Sequence, residues 1–532
     1  MTSRYPAEPC AVPSTISRRS LLKGASALGL AAAGLPGPGS SMSHAAEPRR
    51  GGHMVAGIAG GSTTDTLDPE SFNDTYMVVV GSSTRDNLTE IAANGALRAA
   101  LAESWEPSPD ARSWTFRLRK GVEFSNGKSL DADDVITSIN THRREDSKSG
   151  VKANLSDIES ISADGKDVVV FKLAGGNADF PYLLSDFHLN ILPAKDGKPD
   201  WASKAGTGAY ILEDFDPGVR SLLKLNPNRW DQENGFVDSA ELLHVNDVAA
   251  RQAGLISGEL QVVNRIDVKT AGRLKSNSQL RVLNVPSLAH HTIPMMVDVA
   301  PFDNKDVRLA LKYAIDREDY VAKILMGFGR VGNDQPIGPG STYRFHAADV
   351  PQHVYDPDKA RYHLKQAGLG SLAVDLHTSD GAFSGAVDAA LLYQEAARKA
   401  GIDINVIREP NDGYFSDVWP KTAFRFCWWS QRATEDQMLS VNYAADAAWN
   451  DTHWKNERFE TLLREARSEL DDAKRAQMYR EMQAIVSEDA GTIIPAFIDN
   501  VHGVAASVGT PADISASWEL DGGHFVKRWW LS

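Results

Sequence analysis

Cysteine is almost absent from this chain, since only two of its 532 residues are cysteines. Cys10 lies in an N-terminal segment that we expect to be removed, so Cys427 would remain alone and no intramolecular disulfide could form. A single thiol in an oxidising compartment is safest when buried, and the apolar stretch around Cys427 fits burial. No uninterrupted apolar run reaches the ~18 residues that a membrane-spanning helix needs.

A surplus of positive charge is also missing. The formal net charge is −14, and it becomes more negative once residues 1–46, with four basic residues and one acidic residue, are set aside. Such a chain repels phosphate backbones, which argues against a nucleic-acid partner. Its hydrophobic content of 42% and charged content of 24% are ordinary for a globular protein. The length favours about two to four domains.

Motifs for catalysis and metal binding are missing as well. The chain has no HExxH, no GxSxG and no cysteine cluster. A GxGxxG string at 327–332 follows a predicted helix and leads into prolines, which indicates a turn and not a dinucleotide site. His290 and His291 would point to opposite faces of a strand, so we expect one to be buried and the other to be exposed or in a cleft. The sequence therefore predicts no catalytic residue, no metal site and no cofactor.

The N-terminal segment shows the order of features that is typical of a bacterial export signal. Arg18 and Arg19 form a twin-arginine pattern, and an apolar run rich in alanine and glycine extends over 25–35. Small residues at 43–46 suit signal cleavage. We therefore predict that residues 1–46 are a twin-arginine signal peptide and that the mature protein is periplasmic.

Beyond the signal, strand patterns and helix patterns alternate. Trp114, Phe116 and Leu118 alternate with polar residues as on a strand with one wet face, and Asp131 can cap the helix that follows. Further along, a strand at 373–377, a helix at 386–400 and a strand at 402–406 predict a β-α-β unit with parallel strands. The predicted fold class is α/β, with several domains.

Several blocks of the chain, in order, resemble one known family. They are LAESWEPSPDARSWTFRLRKGVEFSNGKSLDADDV, then GTGAYIL with LKLNPNRW, then PFDNKDVRLALKYAIDRE, and finally NERFETLLREA with YREMQAIVSEDAGTIIP. Together they resemble the bacterial extracellular solute-binding proteins of family 5, the peptide-, nickel- and opine-type receptors of ABC importers. The resemblance implies a periplasmic binding protein-like fold, with two α/β lobes joined by hinge strands and an extra domain on the first lobe. It also implies that ligand binds between the lobes and that a permease reads the closed form.

The resemblance further implies a division of the chain into domains. We expect a signal peptide at 1–46, the first part of lobe I at 47–78, the extra domain at 79–204, the second part of lobe I at 205–296, lobe II at 297–499, and a return to lobe I at 500–532.

The stretch FRFCWWSQRATEDQM at 424–438 contains two adjacent tryptophans beside a charge. Trp428 continues the apolar alternation of the residues before it, so we expect it mainly in the core, with the cleft as the second interpretation. In peptide-binding members of the family, a tryptophan ends this strand and a nearby aspartate pairs with the amino group of the ligand. Trp429 fits the tryptophan position, whereas Gln431 and Arg432 fill the aspartate position. An arginine fork suits a carboxylate or a phosphate, which leaves the anchoring of a free amine open.

Other candidate positions rest on their place in the resembled family. Tyr76 and Asn73 are near the first mature strand, where the family lines its cleft, although a surface turn is the alternative. His291 precedes the crossing into lobe II. The complete set of candidate ligand-binding residues is Trp429, Arg432, Gln431, Ser430, Trp428, Glu435, Asp436, His291, Tyr76 and Asn73.

The leading functional hypothesis is a monomeric periplasmic receptor without chemistry of its own. It would capture a short peptide or peptide-like ligand between two lobes and deliver it to ABC transporter permease subunits. A receptor for an opine, an oligosaccharide or another anionic sugar conjugate is the alternative. An exported hydrolase would need an activated nucleophile, which the sequence does not show, and the absence of internal repeats counts against an adhesion role.

Overall fold

The computed structural model describes residues 47–340 and 343–532. The predicted twin-arginine signal at 1–46 lies outside these residues. The strands are β1 (His53–Ile58), β2 (Thr89–Ile91), β3 (Leu97–Ala99), β4 (Ala102–Pro107), β5 (Ser113–Leu118), β6 (Ile158–Ala163), β7 (Val168–Leu173), β8 (Ala194–Lys195), β9 (Lys198–Pro199), β10 (Tyr210–Asp216), β11 (Arg220–Leu225), β12 (Ser239–His244), β13 (Val262–Val263), β14 (Leu280–Pro294), β15 (Gly329–Val331), β16 (Leu372–Thr378), β17 (Ile402–Arg408), β18 (Cys427–Trp429), β19 (Thr492–Ala505), β20 (Val508–Gly509) and β21 (Trp530–Leu531).

The α-helices are distributed through the whole described chain. They are α1 (Thr75–Thr84), α2 (Ala132–Arg143), α3 (Phe180–Leu183), α4 (Val248–Ser257), α5 (Ala271–Lys275), α6 (Lys305–Tyr313), α7 (Arg317–Lys323), α8 (Pro357–Gln366), α9 (Ala386–Arg398), α10 (Glu435–Asn442), α11 (Glu457–Ser468) and α12 (Asp472–Asp489). Short helical turns cover Pro69–Ser71, Lys152–Leu155, Tyr414–Val418, Glu519–Gly522 and Phe525–Arg528. None of the helices among the described residues combines the length and apolar character that crossing a membrane requires.

Side-chain caps fix the starts of the helices that the sequence predicts. Asp131 and Asp134 form a reciprocal capping box at α2, and the Asp316 carboxylate accepts the Asp319 N–H at 3.0 Å at α7. Asp356 caps α8, which begins with a proline as expected. The mixed α/β class predicted from the sequence is confirmed.

One mixed sheet runs through the described part of the chain and joins nine strands. Its order is β10-β11-β12-β1-β13-β19-β14-β18, and β15 also pairs with β19. Strand β1 is parallel to both β12 and β13, whereas the other pairs are antiparallel. This sheet is the frame on which the remaining helices and the smaller sheets are arranged.

The two longest strands connect two hydrophobic cores. Strands β14 and β19 pair from Leu280↔Ala505 to Pro294↔Thr492. At one end Val504 packs in a core with β1 and α1, and at the other end Ile293 and Ile493 pack in a core with α6, α9 and β16. The ladder is interrupted between Pro286 and His290. Strands β14 and β19 therefore run continuously between the two cores, and their pairing is interrupted along the way. Both features suit a hinge.

Two smaller sheets agree with the sequence patterns. Strands β4, β5, β7 and β6 form an antiparallel sheet with its own core, which includes Trp114, Phe116 and Phe171. Strands β16 and β17 are parallel and are connected by α9, so the predicted β-α-β unit is confirmed. The domain bounds drawn from the resemblance stay a prediction.

Candidate functional site

A cavity of about 710 Å³ opens between two groups of chain segments. One side, which we call the first wall, comprises the cavity residues within 78–91, 150–154, 185–190 and 517–527. The other side, the second wall, comprises those within 430–449. The first wall is connected to the β1 core through α1, whereas the second wall follows β18, the strand at one edge of the large sheet. The cavity thus lies where two bodies of the fold face each other.

The first wall is fixed where α1 ends. Arg85 is the C-cap of α1, and its backbone N–H donates to the carbonyl oxygen of Gly81 at 2.9 Å. The Gly206-Thr207-Gly208 turn packs against this point, because a Cβ at Gly206 would clash with the carbonyl oxygen of Thr84. The Thr207 hydroxyl also donates to the Asp86 carboxylate at 3.0 Å. The GTG part of the family-like block therefore positions residues 84–86.

A buried ion network holds the first wall to the segment near residue 527. Lys527 Nζ contacts Asp86 at 3.2 Å and Glu90 at 2.8 Å, and Arg528 contacts Glu90 at 2.6 Å. Burial alone would raise the pKa of Glu90, but the cations around it hold that pKa well below its ordinary value. Arg98 completes the ring with an Nε donation to Glu90 at 2.9 Å. The carboxylates of this network are fully occupied by protein donors.

Arg85 is different from every member of that network. Its side chain is only 3% exposed and lines the cavity. Among the described residues its guanidinium forms no hydrogen bond or ion pair, and Nη1 is buried without a partner. Burial lowers the pKa of Arg85 to about 10, with Asp68 opposing the shift, so the group stays charged near neutral pH. The cavity therefore contains a buried positive charge that the protein does not neutralise by direct contact.

A left-handed turn brings aromatic and imidazole groups into the first wall. Leu520, Asp521, Gly522 and Gly523 all have positive φ values, between 51° and 82°. This conformation costs about 1–2 kcal/mol at each non-glycine residue. The Asp521 carboxylate offsets that cost by accepting the Ser515 N–H at 2.7 Å and two further donors from residues 528 and 529. The turn thereby fixes the neighbouring cavity residues at 518 and 524.

The second wall begins with Ser430, Gln431 and Arg432, three predicted site residues that the structure brings to the cavity. Gln431 Oε1 accepts the backbone N–H of Leu288 at 3.0 Å, which ties the wall to the interrupted part of β14. Arg432 Nη1 donates to Ser430 Oγ at 2.6 Å. Burial lowers the pKa of Arg432, while Tyr343 and Asp186 oppose the shift. The Arg432 guanidinium thus has hydrogen-bond partners in the protein, whereas that of Arg85 has none among the described residues.

In β18, Trp429 is buried and Trp428 is exposed, which is the reverse of what the alternating apolar pattern of 424–428 predicts. Trp429 is 6% exposed, whereas Trp428 is 40% exposed, so the expectation that Trp428 is mainly a core residue is wrong. The core beneath Phe424 and Phe426 does not extend as far as Trp428. Trp429 instead packs against Trp449, with ring centroids 6.0 Å apart. Neither Trp428 nor Trp429 lines the cavity, although the Arg432 guanidinium lies 5.7 Å from the Trp429 ring centroid.

Glu435 and Asp436 are turned away from the cavity. Both are buried in the first turn of α10. Glu435 accepts the backbone N–H of Phe345 at 2.7 Å, and Asp436 pairs with Arg467 at 3.1 Å. Their negative charges also suit the N-terminal end of a helix. These contacts give both carboxylates structural partners, and the structure does not bring them together with Arg432.

The remaining predicted residues are also outside the cavity lining. His291 is buried, stacks on Phe383 at 3.6 Å and contacts the Tyr320 hydroxyl at 2.9 Å. Tyr76 is buried, and its hydroxyl contacts Ser221 at 2.9 Å. Asn73 is exposed just before α1.

The expectation that only one residue of the His290–His291 pair is buried is wrong as well, since these residues are 0% and 4% exposed. Strand β14 lies between β19 and β18, so it is enclosed along both edges at this point. Burial lowers the pKa of His290 to about 4 and that of His291 to about 3. Both imidazoles are therefore neutral near pH 7. No group of three or more His, Cys, Asp or Glu side chains in 47–340 and 343–532 is arranged to hold a metal ion.

Several cavity residues were not predicted from the sequence. The aromatic ones are Phe187, Trp449 and Trp518, and the charged or titratable ones include Arg85, Asp86, Glu90, Asp186, His524 and Lys527. Phe187 and Trp518 pack together with ring centroids 5.3 Å apart. An arginine that follows the apolar run at 77–80 by five positions is the one local signal that could have indicated Arg85. The others come together only through contacts between distant parts of the chain.

Comparison with known proteins assigns this two-walled architecture to a family. The family model of the bacterial extracellular solute-binding proteins, family 5, matches residues 96–452. The chain belongs to that family. A relative named glutathione-binding protein GsiB, from Shigella flexneri serotype 5b, is 27% identical over 452 residues, which cover 81% of this chain and 87% of the relative. This membership supports a substrate-binding protein of the class that serves ABC importers and acts in the periplasm.

Solved structures similar to this family 5 protein show the same fold. The periplasmic binding protein DppA from Helicobacter pylori, in complex with peptide STSA, has a TM-score of 0.72 and 24% identity, covering 90% of this chain and 98% of that one. AgaA from A. tumefaciens R10, in complex with agropinic acid, has a TM-score of 0.72 and 20% identity, covering 90% of this chain and 99% of that one. The predicted two-lobe, periplasmic binding protein-like fold is confirmed.

Proposed function

We propose that this protein captures a short peptide or peptide-like molecule in the cavity between its two walls and presents it to the permease of an ABC importer. The observation that carries the proposal is the cavity itself, which has aromatic side chains on both walls and guanidinium groups on both walls. Aromatic faces suit apolar side chains and peptide planes, and guanidinium groups suit carboxylates. The names of the relatives support this ligand class, because one binds glutathione and another contains the peptide STSA.

A receptor for an opine or another anionic sugar conjugate is the second candidate. The observation that favours it is Arg432, which lies where peptide-binding relatives were expected to have a carboxylate for the amino end of the ligand. The complex of AgaA with agropinic acid supports the same alternative. In both cases we propose a monomeric receptor, exported through the twin-arginine pathway and without chemistry of its own.

Identification of the bound molecule tests the proposal. Protein purified from its native periplasm should release a small molecule on denaturation, and mass spectrometry should identify it as a peptide or peptide-like compound. Isothermal titration should then show that Trp449→Ala weakens its binding by roughly tenfold, since a stacked aromatic contributes about 1 kcal/mol beyond its buried area.

Trp428→Ala is the matched control, because Trp428 is similarly exposed but lies outside the cavity lining. Unchanged affinity is expected for that variant. A released sugar conjugate would favour the second candidate. Release of a chemically converted product after incubation would favour a hydrolase instead.

A further inference from the structure

Arg85 is the buried cation of the cavity for which the described chain supplies no partner. Its matched counterpart is Arg251, which is also 3% exposed. The Arg251 guanidinium donates four hydrogen bonds to backbone carbonyl oxygens, at 2.7–3.1 Å. Buried arginines are normally satisfied in this way, because a desolvated charge without a partner is costly. The lack of contacts at Arg85 therefore indicates a partner that is supplied from the cavity.

The chemistry of the missing partner follows from the groups around Arg85. Asp86 already accepts hydrogen bonds from Thr207, Trp230 and Lys527, and Glu90 accepts from Lys527, Arg528 and Arg98. Both carboxylates therefore have hydrogen-bond donors without contacting Arg85. On the same wall Asn190 Oδ1 and His524 Nδ1 are also buried without partners. The first wall of the cavity thus carries unpaired hydrogen-bonding groups in addition to the Arg85 guanidinium.

A carboxylate fits this place better than a phosphate. A guanidinium presents two parallel N–H groups that match a carboxylate in a bidentate geometry. Arg85 lies at the C-terminal end of α1, where the helix dipole is negative and disfavours a dianion. Phosphate sites typically use the N-terminal end of a helix, which is absent at this point of the described wall.

We infer that Arg85 is a specificity-determining residue that binds a carboxylate of the ligand on the first wall, so that the protein selects acidic molecules over neutral ones. This inference rests on the proposed receptor function and narrows its ligand class. Asp186, the remaining acidic residue of the first wall, is already bonded to His188 Nδ1 at 2.6 Å and lies near Arg432. The wall therefore offers a free cation to the ligand, whereas its carboxylates already have protein partners.

Two variants separate ligand binding from folding. Arg85→Gln removes the charge and keeps a polar side chain, whereas Arg251→Gln removes an equally buried arginine that does not line the cavity. Thermal-shift and calorimetric titrations would use glutathione, trialanine and succinate, each beside its amidated form, together with inorganic phosphate. Molecules released from wild-type and variant proteins, purified from the native periplasm, would be identified in parallel by mass spectrometry.

We expect the wild type to release a molecule with at least one carboxylate and to bind one or more of the acids at least tenfold more tightly than the corresponding amides. Arg85→Gln should lose roughly 100-fold in affinity for the acid and keep its affinity for the amide within threefold. Arg85→Lys should restore part of the preference, because a lysine supplies the charge without the fork. Arg251→Gln should lower the melting temperature and keep the acid preference.

The inference is overturned if Arg85→Gln binds the acids within threefold of the wild type, or if the released molecule is neutral or cationic. Tighter binding of phosphate than of any carboxylate would overturn the carboxylate assignment. In these outcomes the receptor function stands, because a molecule is still captured. Wild-type protein that releases nothing and binds no probe would overturn the proposed function as well.

Discussion

On the first wall of the cavity, the buried Asp86 and Glu90 both contact the buried Lys527 directly, whereas on the second wall Ser430 and Arg432 are half-buried and bond mainly within their own turn. The first arrangement couples segments that are more than 400 residues apart in sequence. The second depends on a short turn attached to β14 through Gln431.

The difference indicates how a two-lobe receptor divides its tasks. A wall whose charges are mutually satisfied is preorganised, so it can offer Arg85 to a ligand without rearranging. The second wall consists of a turn that bonds mainly within itself, and it lies next to the interruption in the β14–β19 pairing. It can therefore change its position with little loss of contacts. We expect the first wall to set the charge of the ligand and the second wall to close over it.

The largest expected effect comes from removing Lys527, the cation that Asp86 and Glu90 share on the first wall. Lys527→Met leaves Asp86 and Glu90 with fewer cationic partners in a buried site, and we expect a loss of about 5 kcal/mol in the free energy of unfolding. Urea denaturation would measure it. Glu213→Gln is the control, because its pair with Lys224 is exposed and should contribute less than about 1 kcal/mol. Similar losses in both variants would contradict a preorganised first wall.

Substitution of the two tryptophans beneath the second wall should give the next largest effect. Trp429→Ala removes a buried ring and should cost about 3 kcal/mol of stability, with Trp449 collapsing partly into the space. Trp428→Ala removes an exposed ring and should cost less than about 1 kcal/mol. Thermal unfolding of the two variants checks the order. A larger loss of stability for Trp428→Ala than for Trp429→Ala would instead indicate that Trp428 is the buried residue, as the alternating pattern predicts.

Per pH unit, the smallest expected effect concerns acid sensitivity behind the second wall. Burial lowers the pKa of His290 to about 4, and the charge of Arg432 contributes. Between about pH 4 and about pH 6.5, His290 is therefore protonated in the unfolded chain and neutral in the folded protein. Stability should therefore fall as pH decreases from about 6.5 to about 4, by about 1.4 kcal/mol per pH unit within that window for this histidine. Unfolding of His290→Gln should show a correspondingly shallower pH dependence. An unchanged slope would show that other groups dominate.

The sequence predicts local features of this molecule well because they depend on neighbours in the chain. The caps at Asp131 and Asp356 and the β-α-β unit at 372–408 are examples. The sequence likewise predicts the polar turn at 430–432 as a candidate site, since its composition differs sharply from the strand before it, and this turn lines the cavity.

Features that depend on distant residues were not predictable in the same way. Buried Trp429 packs against Trp449, which lies 20 positions further along the chain. The environment of Arg85 depends on the glycine turn at 206–208 and on residues near 527. A single sequence contains no pattern that links these positions, so the first wall could be recognised only in three dimensions.

The ion network of the first wall also affects the order of events during synthesis. Asp86 and Glu90 are translated early, but Lys527 and Arg528 leave the ribosome more than 400 residues later. Until then, two carboxylates of the future cavity have only part of their partners, and the left-handed turn at 520–523 does not exist. Contacts of such long sequence separation form slowly, because a large loop must close before they are made. The nascent chain therefore acquires the complete first wall only after residues 527 and 528 have been synthesised.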